Sequence, residues 1–264
     1  MIKQHPVRVG IAGASGRMGR LISAAVEAQP QLALTVAFGQ PRSAGASAEG
    51  RTLGTAVQAL RLCDVIIDFS TAQASADLAR RAAARGGPAL VIGATGFSLD
   101  GEGAIRAASE RIAIVKSGNY SLGATVLAAL VEQAASRLAA GDWDIDIFET
   151  HHRKKRDAPS GTALALAEVA ARARGLDLAD VAANARRGRT AERRAGEIGF
   201  SVTRAGEIVG EHAVTFTAEG EILTVSHSAR DRRIFARGAV AAALWIADRP
   251  PGLYKMRDVL GLEV

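Results

Sequence analysis

This 264-residue sequence predicts an α/β fold: a doubly wound, Rossmann-type parallel sheet joined to a smaller α+β domain with a mixed or antiparallel sheet. Three observations predict it. Strand-like and helix-like stretches alternate from residue 7 to about 120. Some of the strand-like stretches are nearly continuous apolar runs, as expected of strands buried on both faces. Past residue 122 the pattern changes to one long apolar helix, followed by strands with short connections.

The elements follow in order. "VRVGIAGASGRMGRLISAAVEAQ" opens with alternating Val7, Val9 and Ile11, turns through glycines, and continues with helical spacing at Met18, Leu21, Ile22, Ala25 and Val26. "LALTVAFG" reads as a second strand and "DVIIDFS" as a third. The helix "TAQASADLARRAAARG" stops at Gly86 and Gly87. "ALVIGATG" is another buried strand, "GAIRAASERI" a helix and "IAIVKSGNYS" a further short strand.

In the second half "LGATVLAALVEQAASRLA" is a long apolar helix. "WDIDIFETH" alternates like a strand with one wet face. A helix follows at about 160–174, and then "NARRGRTAERRAGEIG", which reads as a mobile loop or surface arm. "FSVTRAGEIVGEHAVTFTAEGEILTVSHSA" reads as three antiparallel strands with turns near Gly206 and Gly220. A last helix is stopped by Pro250 and Pro251, leaving a short tail.

Composition narrows the function. Hydrophobic residues are 48% and charged residues 23%, which supports a packed core and excludes wholesale disorder. The net charge of +6 suits phosphates, carboxylates or nucleic acid as partners. The single Cys63 rules out an internal disulfide and any cysteine-based metal site, and points to a reducing cytoplasm. The N-terminus has no long apolar stretch, so it does not read as a signal peptide, and no run of residues is long and apolar enough to span a membrane.

Gly13, Gly16 and Gly19 stand at three-residue spacing directly after the first strand. Glycine permits the turn and a close backbone approach, and a helix N-terminus favours an anion. This context predicts a dinucleotide with its pyrophosphate on Gly13, Ala14, Ser15, Gly16, Arg17 and Met18. The second strand ends at Gly39 and Gln40 with no acid to take ribose hydroxyls, while Arg17 and Arg42 can meet a 2′-phosphate. NADPH is therefore favoured over NADH. Gly93, Ala94 and Thr95 end one later strand, and Ser117, Gly118, Asn119 and Tyr120 the next. Both loops lie at carboxyl ends of strands, where the nicotinamide end is expected.

"HHRKKRDAPSGTA", residues 151–163, stacks four cations before a helix entry. Pro159 disfavours helix in Ala158, Ser160 can cap, and Gly161 and Thr162 then open the helix as an anion site. With Lys155 and the two histidines the stretch reads as a receptor for a small dicarboxylate, with a histidine as general acid. A nucleic-acid patch is disfavoured because no aromatic lies in the run to stack a base. A metal site is disfavoured because neighbouring histidines on an extended chain point apart. His212 and His227 read as structural.

"GASGRMGR", "GATGF", "GNYS" and "HHRKKRDAPSGTA" together resemble the dihydrodipicolinate reductase family, also called 4-hydroxy-tetrahydrodipicolinate reductase, of bacterial lysine and diaminopimelate synthesis. Its motif, close to E-x-H-H-x-x-K-x-D-A-P-S-G-T-A, stands here from Glu149 to Ala163. The likeness continues through "RAGEIVGEH" and "GLYKMRDVL", so it covers nearly the whole chain. The resemblance implies that His151 is the general acid/base and Lys155 a second proton donor, and that His152, Gly161 and Thr162 hold the substrate carboxylate. It implies reduction of a cyclic dicarboxylate by NAD(P)H with loss of water, and a homotetramer; no metal and a cytoplasmic location are expected from the residues above. It also implies a nucleotide domain split into 1–122 and 232–264 around a substrate and oligomerisation domain, 123–231. Two departures stand out. Many members carry an acid where this chain has Gly39 and Gln40, and their "GTTG" is "GATG" here, with Ala94.

Overall fold

The computed structural model describes residues 5–40, 43–48, 50–183 and 191–262. The chain divides into two compact units: one runs up to Leu122 and resumes at Arg233, and the other is Gly123–Arg232.

The first unit begins β1 (Val7–Ala12), α1 (Arg17–Glu27), β2 (Leu32–Phe38), the short pair β3 (Ser47–Ala48) and β4 (Arg51–Thr52), and α2 (Ala56–Leu62). It continues β5 (Val65–Asp68), α3 (Ala72–Ala83), β6 (Ala89–Ile92), α4 (Leu99–Ser109) and β7 (Ala113–Lys116). The second unit holds α5 (Leu122–Arg137), β8 (Asp144–His151), α6 (Gly161–Ala173), α7 (Leu178–Val181), β9 (Ile198–Arg204), β10 (Gly210–Ala218) and β11 (Glu221–Ala229). The chain then closes the first unit with α8 (Arg233–Ile246), β12 (Gly252–Tyr254) and α9 (Met256–Val259).

The first sheet has the order β12-β7-β6-β5-β1-β2, and every neighbouring pair is parallel. β5 and β6 carry the predicted apolar runs because both their faces are covered. On one face Val9, Ile11, Val65, Val91 and Val115 pack with Ile22 of α1 and Ala239 and Ile246 of α8. On the other, Ile66, Leu90, Ile92 and Ile114 meet Leu78 and Ala79 of α3 and Ile105 of α4. With so few aromatics, close approach does the packing: a Cβ on Gly238 of α8 would overlap the Tyr120 carbonyl. The strand order reverses between β1 and β5, which opens a crevice at their carboxyl ends.

Among the elements of this unit that escape the sequence reading are α2 and β12. α2 starts at a capping box, Thr55 with Gln58, whose signature is legible but precedes only a seven-residue helix. The short tail beyond Pro251 becomes β12, pairs parallel with β7 and adds the sixth strand. Three residues are too few to display a strand period.

In the second unit the sheet order is β11-β10-β8-β9. Leu127 and Val131 of α5 and Leu166 and Ala170 of α6 cover Ile145, Ile147, Val214 and Phe216. The expectation of three antiparallel strands in succession is corrected. β10 is antiparallel to both β11 and β8, but β9 pairs parallel with β8 and does not touch β10. β8 lies between them, so the link 205–209 crosses the end of β8, where Ala205 N–H donates to the His151 carbonyl (2.9 Å). The Arg-rich stretch is also corrected where it is described. Residues 184–190 lie outside the described residues, but Arg193 is pinned: it pairs with Asp144 and Asp146 and donates to the carbonyls of Ile145 and Glu197.

Candidate active site

In the first unit the chain leaves β1 through Gly13, at φ +75°, and enters α1 at Gly16, whose first turn no side chain caps. Such a turn presents backbone N–H groups to an anion. A Cβ on Gly19 would overlap the backbone of Gly13 and Ala14, so glycine holds the turn against its own helix. Ser15, Gly16 and Arg17 are exposed and Met18 is half-buried. Ala14 is buried and its N–H donates to the Phe38 carbonyl (3.1 Å), so it ties the turn to β2. Gly39 faces the Ser15 hydroxyl and Gln40 is exposed, while Arg42 lies outside the described residues.

The two later loops meet beside the crevice. A Cβ on Gly118 would lie 3.5 Å from the Thr95 methyl. Ser70, Thr71, Gly93, Ala94, Thr95 and Phe97 line a cavity of about 610 Å³. Ser117 and Asn119 are half-buried next to it in sequence, with Ser117 Oγ bonded to the Asn119 carbonyl (2.7 Å). Tyr120 takes another part. Its side chain is buried, its hydroxyl donates to the carbonyls of Ile92 (2.9 Å) and Val115 (3.1 Å), and its ring packs 5.2 Å from Phe69. It is scaffold beneath the loops. The sequence reading passed over Ser70 and Thr71, although "DFST" ends a buried strand as "GATG" does.

Asp68, just before them, is fully buried. Its Oδ1 accepts from Ser70 N–H (2.9 Å) and the Ser70 hydroxyl (2.5 Å). Burial pushes its carboxyl above the usual range against the pull of those bonds.

In the second unit β8 alternates strictly. Ile145, Ile147, Glu149 and His151 share the inner face, so an apolar row turns polar at its carboxyl end. Register brings His212 of β10 opposite Glu149, and Arg204 of β9 opposite His151. Glu149 is the hub. Its Oε2 takes His151 Nδ1 (2.5 Å) and Arg204 Nη1 (2.9 Å), and its Oε1 takes Arg204 Nη2 (2.8 Å) and Ser160 N–H (3.1 Å). Burial alone would raise this carboxyl, but the Arg204 fork, His151 and the Ser160 amide hold it below the usual range.

An ionised Glu149 makes His151 Nδ1 the protonated nitrogen and leaves Nε2 for chemistry. Nε2 lies over Gly210, where a Cβ would stand 2.9 Å away; glycine there makes room for the ring. Burial lowers the His151 pKa first, Glu149 opposes that, and Lys155 and Arg204 add to it. His212 lies edge-on to His151 at 5.1 Å, its Nε2 3.0 Å from the Ser160 hydroxyl, and burial brings it down to about 4. It is neutral, and it supports the site directly.

The basic loop answers the expectation in part. Ser160 is the N-cap of α6, accepting from Ala163 N–H (3.2 Å), and Gly161 is exposed with Thr162 half-buried after it. His152 is half-exposed. Of the four cations only Lys155 is half-buried, and its Nζ pairs with Asp157 at 2.8 Å; Arg153, Lys154 and Arg156 lie on the surface. Sequence reasoning placed Glu149 and Arg204 inside family stretches but gave neither a role. Glu149 was findable, because positions two apart on a strand share a face. Arg204 was not, because its place depends on β9 pairing with β8.

Comparison with known proteins places this geometry. The family model described as "Dihydrodipicolinate reductase, N-terminus" matches residues 7–120, and "Dihydrodipicolinate reductase, C-terminus" matches residues 123–260. The 4-hydroxy-tetrahydrodipicolinate reductase of Caulobacter vibrioides is 53% identical over 259 residues, covering 98% of this chain and 99% of the relative. That of Rhizobium meliloti is 46% identical over 273 residues, covering 99% and 100%. Among solved structures, a dipicolinate-bound dihydrodipicolinate reductase from Paenisporosarcina sp. TG-14 is similar in fold, with a TM-score of 0.77 at 20% identity over 95% of this chain and 97% of the other.

Proposed function

The chain belongs to the dihydrodipicolinate reductase family and reduces 4-hydroxy-tetrahydrodipicolinate to tetrahydrodipicolinate with a nicotinamide dinucleotide, in diaminopimelate and lysine synthesis; we propose how its own residues divide that work. The observation that carries the proposal is the polar end of β8, where Glu149 presents His151 beside the entry of α6.

The first unit is the nucleotide domain. The uncapped turn at Gly16, the left-handed Gly13 and the tight Gly19 fit a pyrophosphate, which Gly13 to Met18 would hold. Gly93 to Thr95 and the loop Ser117 to Tyr120 border the nicotinamide end, Tyr120 through its backbone. When bound, the dinucleotide supplies the hydride. Arg17, with no acid at Gly39 and Gln40, favours NADPH over NADH, and Arg42 joins it in that reading.

The second unit holds the substrate, a small dicarboxylate. His152, Gly161 and Thr162 bind a carboxylate at the N-terminus of α6. Lys155 leaves the exposed Asp157, a pair worth about 1 kcal/mol or less, for the dianion. The cations then stabilise negative charge as it develops on the ring. His151, its ring fixed through Nδ1, takes up a proton at Nε2 from solvent and passes it to the carbon next to the one that is reduced, and Lys155 is a second donor.

No metal is required. The nearest donor atoms of Glu149, His151 and His212 lie within 4.8 Å, but both Glu149 oxygens already accept protein donors and the Arg204 charge sits on the carboxylate. The set suits proton handling better than a cation. Phe148 and Ile222, exposed on the outer face of the second sheet, support assembly through that sheet into a homotetramer. The single, reduced Cys63 fits the cytoplasm.

Purified protein supplied with the fresh condensation product of pyruvate and aspartate semialdehyde should oxidise NADPH rapidly and NADH more slowly. No oxidation of either, by protein that binds both, would overturn the assignment. Lys155→Ala should keep dinucleotide binding and lose turnover.

A further inference from the structure

Arg204 opens the stretch "RAGEIVGEH" outside the basic loop, where no role was read for it, yet its guanidinium is engaged at the polar end of β8. One guanidinium edge grips both Glu149 oxygens, at 2.8 and 2.9 Å. The same nitrogens donate to the carbonyls of Asp157 (2.6 Å) and Thr203 (2.8 Å). The side chain is only 19% exposed, so this contact is not a solvated surface pair.

We propose that Arg204 is a positioning residue for His151, keeping Glu149 ionised and doubly bonded so that the ring is held by Nδ1 with Nε2 free, while its grip on Asp157 anchors the basic loop to the same carboxylate. The inference rests on His151 being the proton-transfer group. A buried carboxylate facing one imidazole would share or seize its proton. Adding a fork-shaped cation satisfies the carboxylate without touching the ring, which a lysine's single ammonium does less completely. One side chain therefore couples three things: the charge of Glu149, the orientation of His151 and the path of residues 152–160. The charged and titratable groups facing His151 are Glu149 on β8, Arg204 on β9, His212 on β10 and Lys155 in the loop. Arg204 is the cation among them that also bonds its carboxylate partner, so its removal should make His151 more basic.

The test compares wild type, Arg204→Lys, Arg204→Gln, Glu149→Gln and the Glu149→Gln/Arg204→Gln pair. Three quantities are read on folded protein: the titration midpoint of the His151 ring, by NMR of histidine-labelled protein, turnover of the pyruvate–aspartate semialdehyde product with NADPH, and the NADPH Kd. In Arg204→Gln the midpoint should rise by roughly one unit. kcat should fall about tenfold or more, with NADPH Kd unchanged and partial recovery in Arg204→Lys. The losses in the pair should be less than additive, because both act through one carboxylate. The pair also removes the unpaired buried charge, which keeps the comparison readable should Arg204→Gln fold poorly. An unmoved His151 midpoint in Arg204→Gln, or additive losses in the pair, would overturn the proposal. A midpoint that moves as expected in a protein that turns nothing over would leave the positioning intact and sink the assigned reaction instead.

Discussion

Each unit buries one carboxylate at the carboxyl end of a strand on its way to a loop, and the two meet opposite fates. Asp68 ends β5 with serine partners and no cation bonded to it, and burial pushes its pKa up, toward the neutral acid. Glu149, near the end of β8, has Arg204, His151 and an amide, and is held ionised. Burial costs both about the same kind of desolvation; partners decide the sign. A buried acid without a cation is a hydrogen-bonding part of the scaffold, while one with a cation and an imidazole becomes part of the chemistry.

The sharpest way to break this comparison is to strand one carboxylate and replace the other by its amide. Arg204→Met strands a buried charge and should cost about 3–5 kcal/mol in urea unfolding. Asp68→Asn keeps the shape of a carboxyl that burial already pushes toward its neutral form, and should cost about 1 kcal/mol or less. Equal losses would mean that the two sites are alike.

The pH dependence separates them by sign. Glu149 is held below its unfolded value, so its contribution is present above that value and fades as pH falls through the acid range. Asp68 is raised, so its contribution is present in acid and is lost as pH climbs through its folded value. Stability measured against pH should therefore fall on acidification in wild type but less in Glu149→Gln. Asp68→Asn should gain on wild type as pH rises. A flat difference for either variant would refute its assignment.

Glycine tests follow, one for each unit. Gly19→Ala drives a Cβ into the turn at Gly13 and should weaken NADPH binding, read by nucleotide fluorescence, with the substrate KM unaffected. Gly210→Ala displaces the His151 ring and should lower kcat with NADPH affinity unchanged. Loss of both bindings in either variant would point to general unfolding.

The smallest effect is expected at Asp157. Freeing Lys155 by Asp157→Asn removes an exposed pair worth about 1 kcal/mol at most, so the substrate KM should change by about fivefold or less. A larger change would show that Asp157 is part of substrate binding.

By itself the sequence determined the parts whose physics is local. Glycine spacing after a strand specifies a phosphate turn. Doubly apolar runs specify strands buried on both faces, and Ser160 after Pro159 specifies the α6 entry, because each depends on neighbours within a few residues. Even the Glu149–His151 contact was implicit, since a strand turns alternate residues to one face. Only the tertiary structure decided the rest. β9 pairs with β8 rather than β10, so Arg204 reaches Glu149 from 55 residues away. His212 moves from a spare strand residue to the neighbour of His151 for the same reason. The tail from Gly252 becomes a strand because β7 offers it an open edge. Such outcomes follow from which edges pair and which charges share a low-dielectric space, and no window of sequence contains both partners.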